Sequence, residues 1–177
     1  VRSRKKTGEI VQAELEVLFA EQQAALLRYL TRLTDDPELA ADAAQDAYLR
    51  LLESPPRDTN NVRAWLFTVA TNIVRDSWKK VKTARRIKEA PQLVPNGGED
   101  PDPLTIVERT ERAEIARRLL AKLSDRERTV VLMWLEGFKH REIAETVGTT
   151  TKTVSPTIAR ALNKLARDIE RYQRECM

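Results

Sequence analysis

The sequence predicts an all-α protein: two small helical domains joined by a flexible Pro/Gly-rich linker. Three observations lead there. Apolar residues recur at three- and four-residue spacing along most of the 177 residues, with no long strand-type alternation and only 5 glycines. Helix punctuation is frequent, as in Asp36-Pro37, Ser124 with Glu127, and Gly148-Thr149. Between the periodic halves lies APQLVPNGGEDPDP, residues 90–103, whose four prolines and Gly-Gly pair cannot sustain a helix. The expected domains are therefore residues 9–89 and 104–172, with 90–103 as linker.

Val1 to Gly8 is basic and polar and is expected to be disordered. From Glu9, Ile10, Val11, Leu15, Leu18 and Phe19 start an apolar stripe that continues through Leu26, Leu27, Leu30 and Leu33. Thr34-Asp35-Asp36-Pro37 ends it and opens a helix over about Pro37 to Glu53, with Leu39, Ala43, Ala47, Leu51 and Tyr48 inward. Ser54-Pro55-Pro56 stops that helix, and Asp58 to Asn61 forms a polar loop. Val62, Trp65, Leu66, Val69, Ala70, Ile73 and Val74 mark the next helix. Its far end turns basic, with Arg75, Lys79, Lys80, Lys82, Arg85, Arg86 and Lys88 opposed by Asp76. Trp78 within this run suits either stacking on an unpaired base or closing the core.

Beyond the linker, Ile106, Val107, Ile115, Leu119, Leu120 and Leu123 form one helix. Ser124 and Glu127 have capping-box spacing ahead of Val130, Val131, Leu132, Trp134 and Leu135, which end at Gly137. Ile143, Ala144 and Val147 give a short helix that Gly148 turns, and a Thr149-Thr150-Thr151 hydroxyl is expected to cap the next. That last helix carries Val154, Ile158, Ala161, Leu162 and Leu165 inward, and Arg171 to Met177 is a polar tail.

Composition narrows the function. Hydrophobic residues make 41% of the chain and charged ones 33%, with net charge +4, as in a mildly basic soluble protein. No apolar run approaches a bilayer span, so no membrane insertion is expected and the cytoplasm is the expected compartment. The lone Cys176 has no partner for an internal disulfide, and His140 is the single histidine. Neither an HExxH pattern nor a Gly-rich phosphate loop occurs, so no catalytic residues, metal or cofactor are expected.

The paired helices around Gly148 have the helix-turn-helix pattern. From Lys152 to Arg167 there are four cations and no acid, where a solvated face normally mixes signs. Small hydroxyl residues can approach base edges closely, and cations neutralise phosphate, so this helix suits a DNA major groove.

Three stretches together resemble the extracytoplasmic-function (ECF) sigma factors of bacterial RNA polymerase, in the sigma-70 family. RYLTRLTDDPELAADAAQDAYLRLLE (28–53) and VRAWLFTVATNIVRDSWKK (62–80) resemble the sigma-2 helical bundle. LAKLSDRERTVVLMWLEGFKHREIAETVGTTTKTVSPTIARALNKL (120–165) resembles the sigma-4 helix-turn-helix domain. The resemblance implies a protein that binds core polymerase (β′ and β subunits) and promoter DNA, controlled by an anti-sigma factor. It implies core-binding roles for Asp42, Gln45, Asp46, Tyr48, Leu49 and Leu52. It places Asn60, Asn61, Arg63, Arg75, Trp78, Lys79 and Lys80 at the −10 element. At the −35 element it places Arg126, Arg128, Lys139, Arg141, Lys152, Thr153, Ser155, Thr157 and Arg160.

Three positions depart from that family's pattern. Ala41 stands where an acid often precedes Asp42, Ser155 stands at a usually basic position, and Pro156 falls inside the recognition helix. A proline there predicts a kink near Lys152 or a later helix start. The rival reading is a two-domain helix-turn-helix regulator that acts on duplex DNA without core polymerase.

Overall fold

The computed structural model describes residues 2–56, 61–85 and 113–175. The described residues form seven helices and no strand. These are α1 (Arg2–Thr34), α2 (Pro37–Glu53), α3 (Val62–Arg85), α4 (113–121), α5 (Asp125–Leu135), α6 (His140–Val147) and α7 (Thr151–Glu175). The chain divides into two compact units, Val1–Thr83 and Ala84–Met177. The expected linker, residues 90–103, and the candidate core residues Ile106 and Val107 lie outside the described residues, as does Cys176.

In the first unit α1 and α2 form an antiparallel hairpin. Asp35 takes φ 57, a left-handed conformation that Asp tolerates better than most residues. The Asp36 carboxylate accepts from the N–H groups of Glu38 and Leu39 at 3.0 and 3.1 Å, so α2 starts one residue after it. Leu26, Tyr29, Leu30 and Leu33 of α1 are fully buried, as are Ala40, Ala43, Ala47 and Leu51 of α2. The run of alanines lets the two backbones approach closely. From α3, Leu66, Phe67, Ala70 and Val74 complete this core, each fully buried. Tyr29 and Phe67 meet with ring centroids 5.2 Å apart. Burying each such Leu or Phe stabilises the unit by about 1.5–3 kcal/mol.

The second unit is built from short helices with defined ends. Ser124 accepts from the Glu127 N–H, and the Glu127 carboxylate accepts from the Ser124 N–H, which completes the capping box of α5. α5 and α6 each end in a Schellman turn on a glycine. Phe138 N–H bonds Met133 O past Gly137 (φ 82), and Thr149 N–H bonds Ala144 O past Gly148 (φ 66). Val130, Val131, Met133, Ile143, Val154, Ile158 and Ala161 form the common core of α5, α6 and α7. Leu120 and Leu165 pack at its edge against Leu123, Val131 and Ala161.

Several expectations need correction. α1 begins at Arg2, where a disordered end is expected. The polar tail from Arg171 is helical as far as Glu175, where α7 ends. Leu27 and Leu162 sit 40% and 37% exposed, so they are not core. In α7 the helix starts at Thr151 and includes Pro156, so the late-start alternative is wrong. The carbonyl that Pro156 cannot serve belongs to Lys152, an exposed first-turn residue, where water can take the missing donor's place.

Candidate nucleic-acid interface

In the second unit, α6 and α7 are set by Gly148, and α7 turns Val154, Ile158 and Ala161 inward. Its remaining sides stay open. Lys152, Thr153, Ser155 and Arg160 are exposed and Thr157 is half-buried. The expected threonine cap takes another form. The Thr149 hydroxyl donates to the Thr153 hydroxyl at 3.1 Å, and the Thr150 and Thr153 hydroxyls share a hydrogen bond at 2.6 Å. The Thr153 hydroxyl in turn donates to Thr150 O at 2.9 Å. Thr157 donates to Thr153 O at 2.7 Å.

The other expected −35 residues divide in two. Arg126, Lys139 and Arg141 are exposed. Arg141 keeps a loose pairing with Glu145 at 3.7 Å. Arg128 is half-buried, and its Nε donates to Leu120 O at 3.0 Å, so it ties α5 to the end of α4. Lys164 was absent from the expected set, yet it makes a two-point contact with Glu127, at 2.7 and 2.9 Å. That bond and the Ser124 N–H hold the Glu127 carboxyl down to about 2. No short-range pattern pairs residues 37 apart, so only the fold could reveal it.

In the first unit, α2 presents one open face. Asp42, Gln45, Asp46 and Leu49 recur at helical spacing and are all exposed, with Leu52 half-buried beside them. Leu49 is 46% exposed, an apolar residue one turn on from Gln45 and Asp46 and two turns on from Asp42. Tyr48 turns the other way and stacks on Phe19 of α1, centroids 4.0 Å apart. Of the expected −10 residues, Asn60 lies outside the described residues, and Asn61 is half-buried at the mouth of α3. Arg63 donates to Gln22 Oε1 at 2.9 Å and lies 5.4 Å over the Phe67 ring, so it fastens α3 to α1. Arg75 and Trp78 are half-buried, and Lys80 is exposed. Lys79 pairs with Asp76 at 2.9 Å, which draws the Asp76 carboxyl below its ordinary range. The side chains of Lys82 and Arg85, and all of Arg86 and Lys88, lie outside the described residues.

Among the described residues no cluster of His, Cys, Asp or Glu suits a metal ion, and no helix is long and apolar enough to cross a membrane.

The described residues thus hold a helix-turn-helix with an open second helix and a separate bundle with an open acidic face and a basic helix end. Comparison with known proteins makes this specific. The sigma-70 region 2 profile matches residues 18–84, and the sigma-70 region 4 profile matches residues 113–165. The chain is 31% identical over 157 residues to the ECF RNA polymerase sigma factor SigL of Mycobacterium tuberculosis, covering 86% of this chain and 87% of that protein. It is 28% identical over 166 residues to the RNA polymerase sigma factor YlaC of Bacillus subtilis, covering 91% and 95%. It is 28% identical over 149 residues to the ferric citrate uptake sigma factor FecI of Escherichia coli, covering 83% and 86%.

Two solved structures share the fold. CnrH in complex with the cytosolic domain of CnrY has a TM-score of 0.64 at 22% identity, covering 90% of this chain and 89% of that one. RpoE in complex with the anti-sigma factor NepR from Bartonella quintana has a TM-score of 0.60 at 20% identity, covering 92% and 98%. The chain belongs to the ECF sigma factors of the sigma-70 family.

Proposed function

We propose that this chain binds core RNA polymerase through the open face of α2 and directs transcription from promoters with matched −35 and −10 elements. The observation that carries the proposal is the pairing, in one chain, of two kinds of surface. One is the exposed Asp42, Gln45, Asp46 and Leu49 face; the other is the cationic, hydroxyl-rich outer side of α7. The first suits a partner helix, since an apolar residue is desolvated while the acids fix register against cations. The second suits the major groove of duplex DNA. Lys80, Lys79, Trp78 and Arg75 at the end of α3 would meet the separated strand at the −10 element, by phosphate contact and stacking. Arg63 and Arg128 support these surfaces from behind, because both guanidiniums are held by the protein.

In this reading residues 9–89 form the polymerase and −10 domain, and residues 104–172 the −35 domain. Residues 90–103 act as a tether that raises the effective concentration of one domain once the other is bound. The protein works in the cytoplasm by binding rather than by catalysis, and an anti-sigma factor holds it inactive. The structural likeness to RpoE, solved with its anti-sigma factor NepR, supports that last point.

Run-off transcription with purified core polymerase, with and without the chain, tests the proposal. Promoter-specific transcripts are expected only when the chain is present. DNA binding to palindromic sites without core, and no transcripts with it, would favour an independent regulator instead.

A further inference from the structure

We infer that Thr157 reads the −35 duplex as a hydrogen-bond acceptor only, and so selects a base carrying an exocyclic amino group, adenine or cytosine, on the strand it faces. The inference rests on the proposed placement of α7 in the major groove.

A threonine hydroxyl has one proton to give and two lone pairs to receive with. In Thr157 the proton is committed: Oγ1 donates to Thr153 O, one turn back, at 2.7 Å. What the side chain can offer outward is a lone pair. Thr153, on the same helical face, is engaged three times within the first turn of α7. Its hydroxyl donates to Thr150 O, accepts from the Thr149 hydroxyl, and shares a further hydrogen bond with the Thr150 hydroxyl. Thr153 therefore organises the start of α7, and the reading falls to residues further along. Beside Thr157, Pro156 fixes its own φ near −65° and restrains the backbone from which Thr157 projects.

The major groove presents two kinds of polar group at the relevant edge. Adenine N6 and cytosine N4 are donors, while guanine O6 and thymine O4 are acceptors. A hydroxyl with its proton turned inward bonds the first kind and repels the second. To accept guanine or thymine it would have to release the Thr153 carbonyl. Each base pair carries one amino and one keto group in this groove, so the discrimination is between strands: A or C against G or T at a single position. One neutral hydrogen bond made or lost corresponds to roughly fivefold in preference.

The test is in vitro transcription by core polymerase and the full chain from a promoter library randomised across the −35 element, with the transcripts sequenced. The wild-type chain is expected to favour A or C over G or T at one −35 position by roughly fivefold. Thr157→Ser should keep that preference, since the hydroxyl and its back bond remain. Thr157→Val should abolish it at that position and leave the other −35 positions as they were. An unchanged profile in Thr157→Val, or a wild-type profile in which no −35 position separates A and C together from G and T together, would overturn the inference. Transcripts showing no −35 selection of any kind would remove the groove placement itself, and this inference with it.

Discussion

Lys164 Nζ lies 2.7 Å from one carboxylate oxygen of Glu127 and 2.9 Å from the other, across 37 residues of chain. The same carboxylate accepts from the Ser124 N–H and hydroxyl. One side chain thus caps α5 and fastens it to α7. Glu127 is 19% and Lys164 45% exposed, so the pair is partly shielded from solvent.

That geometry sets a pH dependence. The Lys164 bond, then the Ser124 N–H, hold the Glu127 carboxyl at about 2, below its ordinary 4.5. A depressed carboxyl stabilises the fold above its unfolded value, so this contribution is full above pH 4.5 and fades as pH falls toward about 2. Lys164→Met should lower the stability of the second unit by about 1 kcal/mol at neutral pH and flatten its acid loss. Hydrogen exchange of α5 and α7 amides across pH, in the full chain, measures both effects.

Gly148→Ala should cost about 1–2 kcal/mol in the same unit. A methyl group there meets nothing within 4 Å, so the cost comes from the backbone at φ 66 alone. Gly148→Asn should cost less, because Asn tolerates that conformation. Thermal unfolding of the three chains gives the order.

Pro156→Ala should stabilise the protein, by about 1–3 kcal/mol. It restores an N–H for the Lys152 carbonyl at an exposed position, with no core contact to lose. A lower melting temperature for this variant would show that the proline ring makes a compensating contact.

Leu49→Asp should leave stability within about 0.5 kcal/mol, since the side chain is largely exposed, and should weaken core polymerase binding at least tenfold. Ala41→Glu, also on an exposed position of α2, should strengthen that binding by adding an acid to the same surface. Titration calorimetry against core polymerase reads both.

Local signals carried much of this architecture. Asp36-Pro37, the Ser124–Glu127 box and Gly148 each fix a helix boundary through short-range hydrogen bonds or a single dihedral angle, and the structure has them as the sequence implies. What eluded sequence reading depends on distant chain segments. Arg63 is expected at the −10 element by resemblance, but Gln22 and Phe67, brought beside it by tertiary packing, hold its guanidinium. Tyr48 fits both the α2 partner face and the α1 interface by spacing, and only the position of Phe19 decides between them. The threonine run Thr149-Thr150-Thr151 signalled a helix start, but hydroxyl-to-hydroxyl bonding at Thr153 is invisible to a capping rule framed around backbone N–H groups.

The second unit's core draws on α5, α6 and α7, and the last of these supplies Val154, Ile158 and Ala161. Synthesis runs from the amino end, so α5 and α6 leave the ribosome with Val131 and Ile143 still lacking their cover. The unit cannot close until the first turns of α7, through Ala161, emerge, after which its near-neighbour contacts allow rapid docking. Nascent chains stalled before Ala161 should therefore be open to proteases and chaperones.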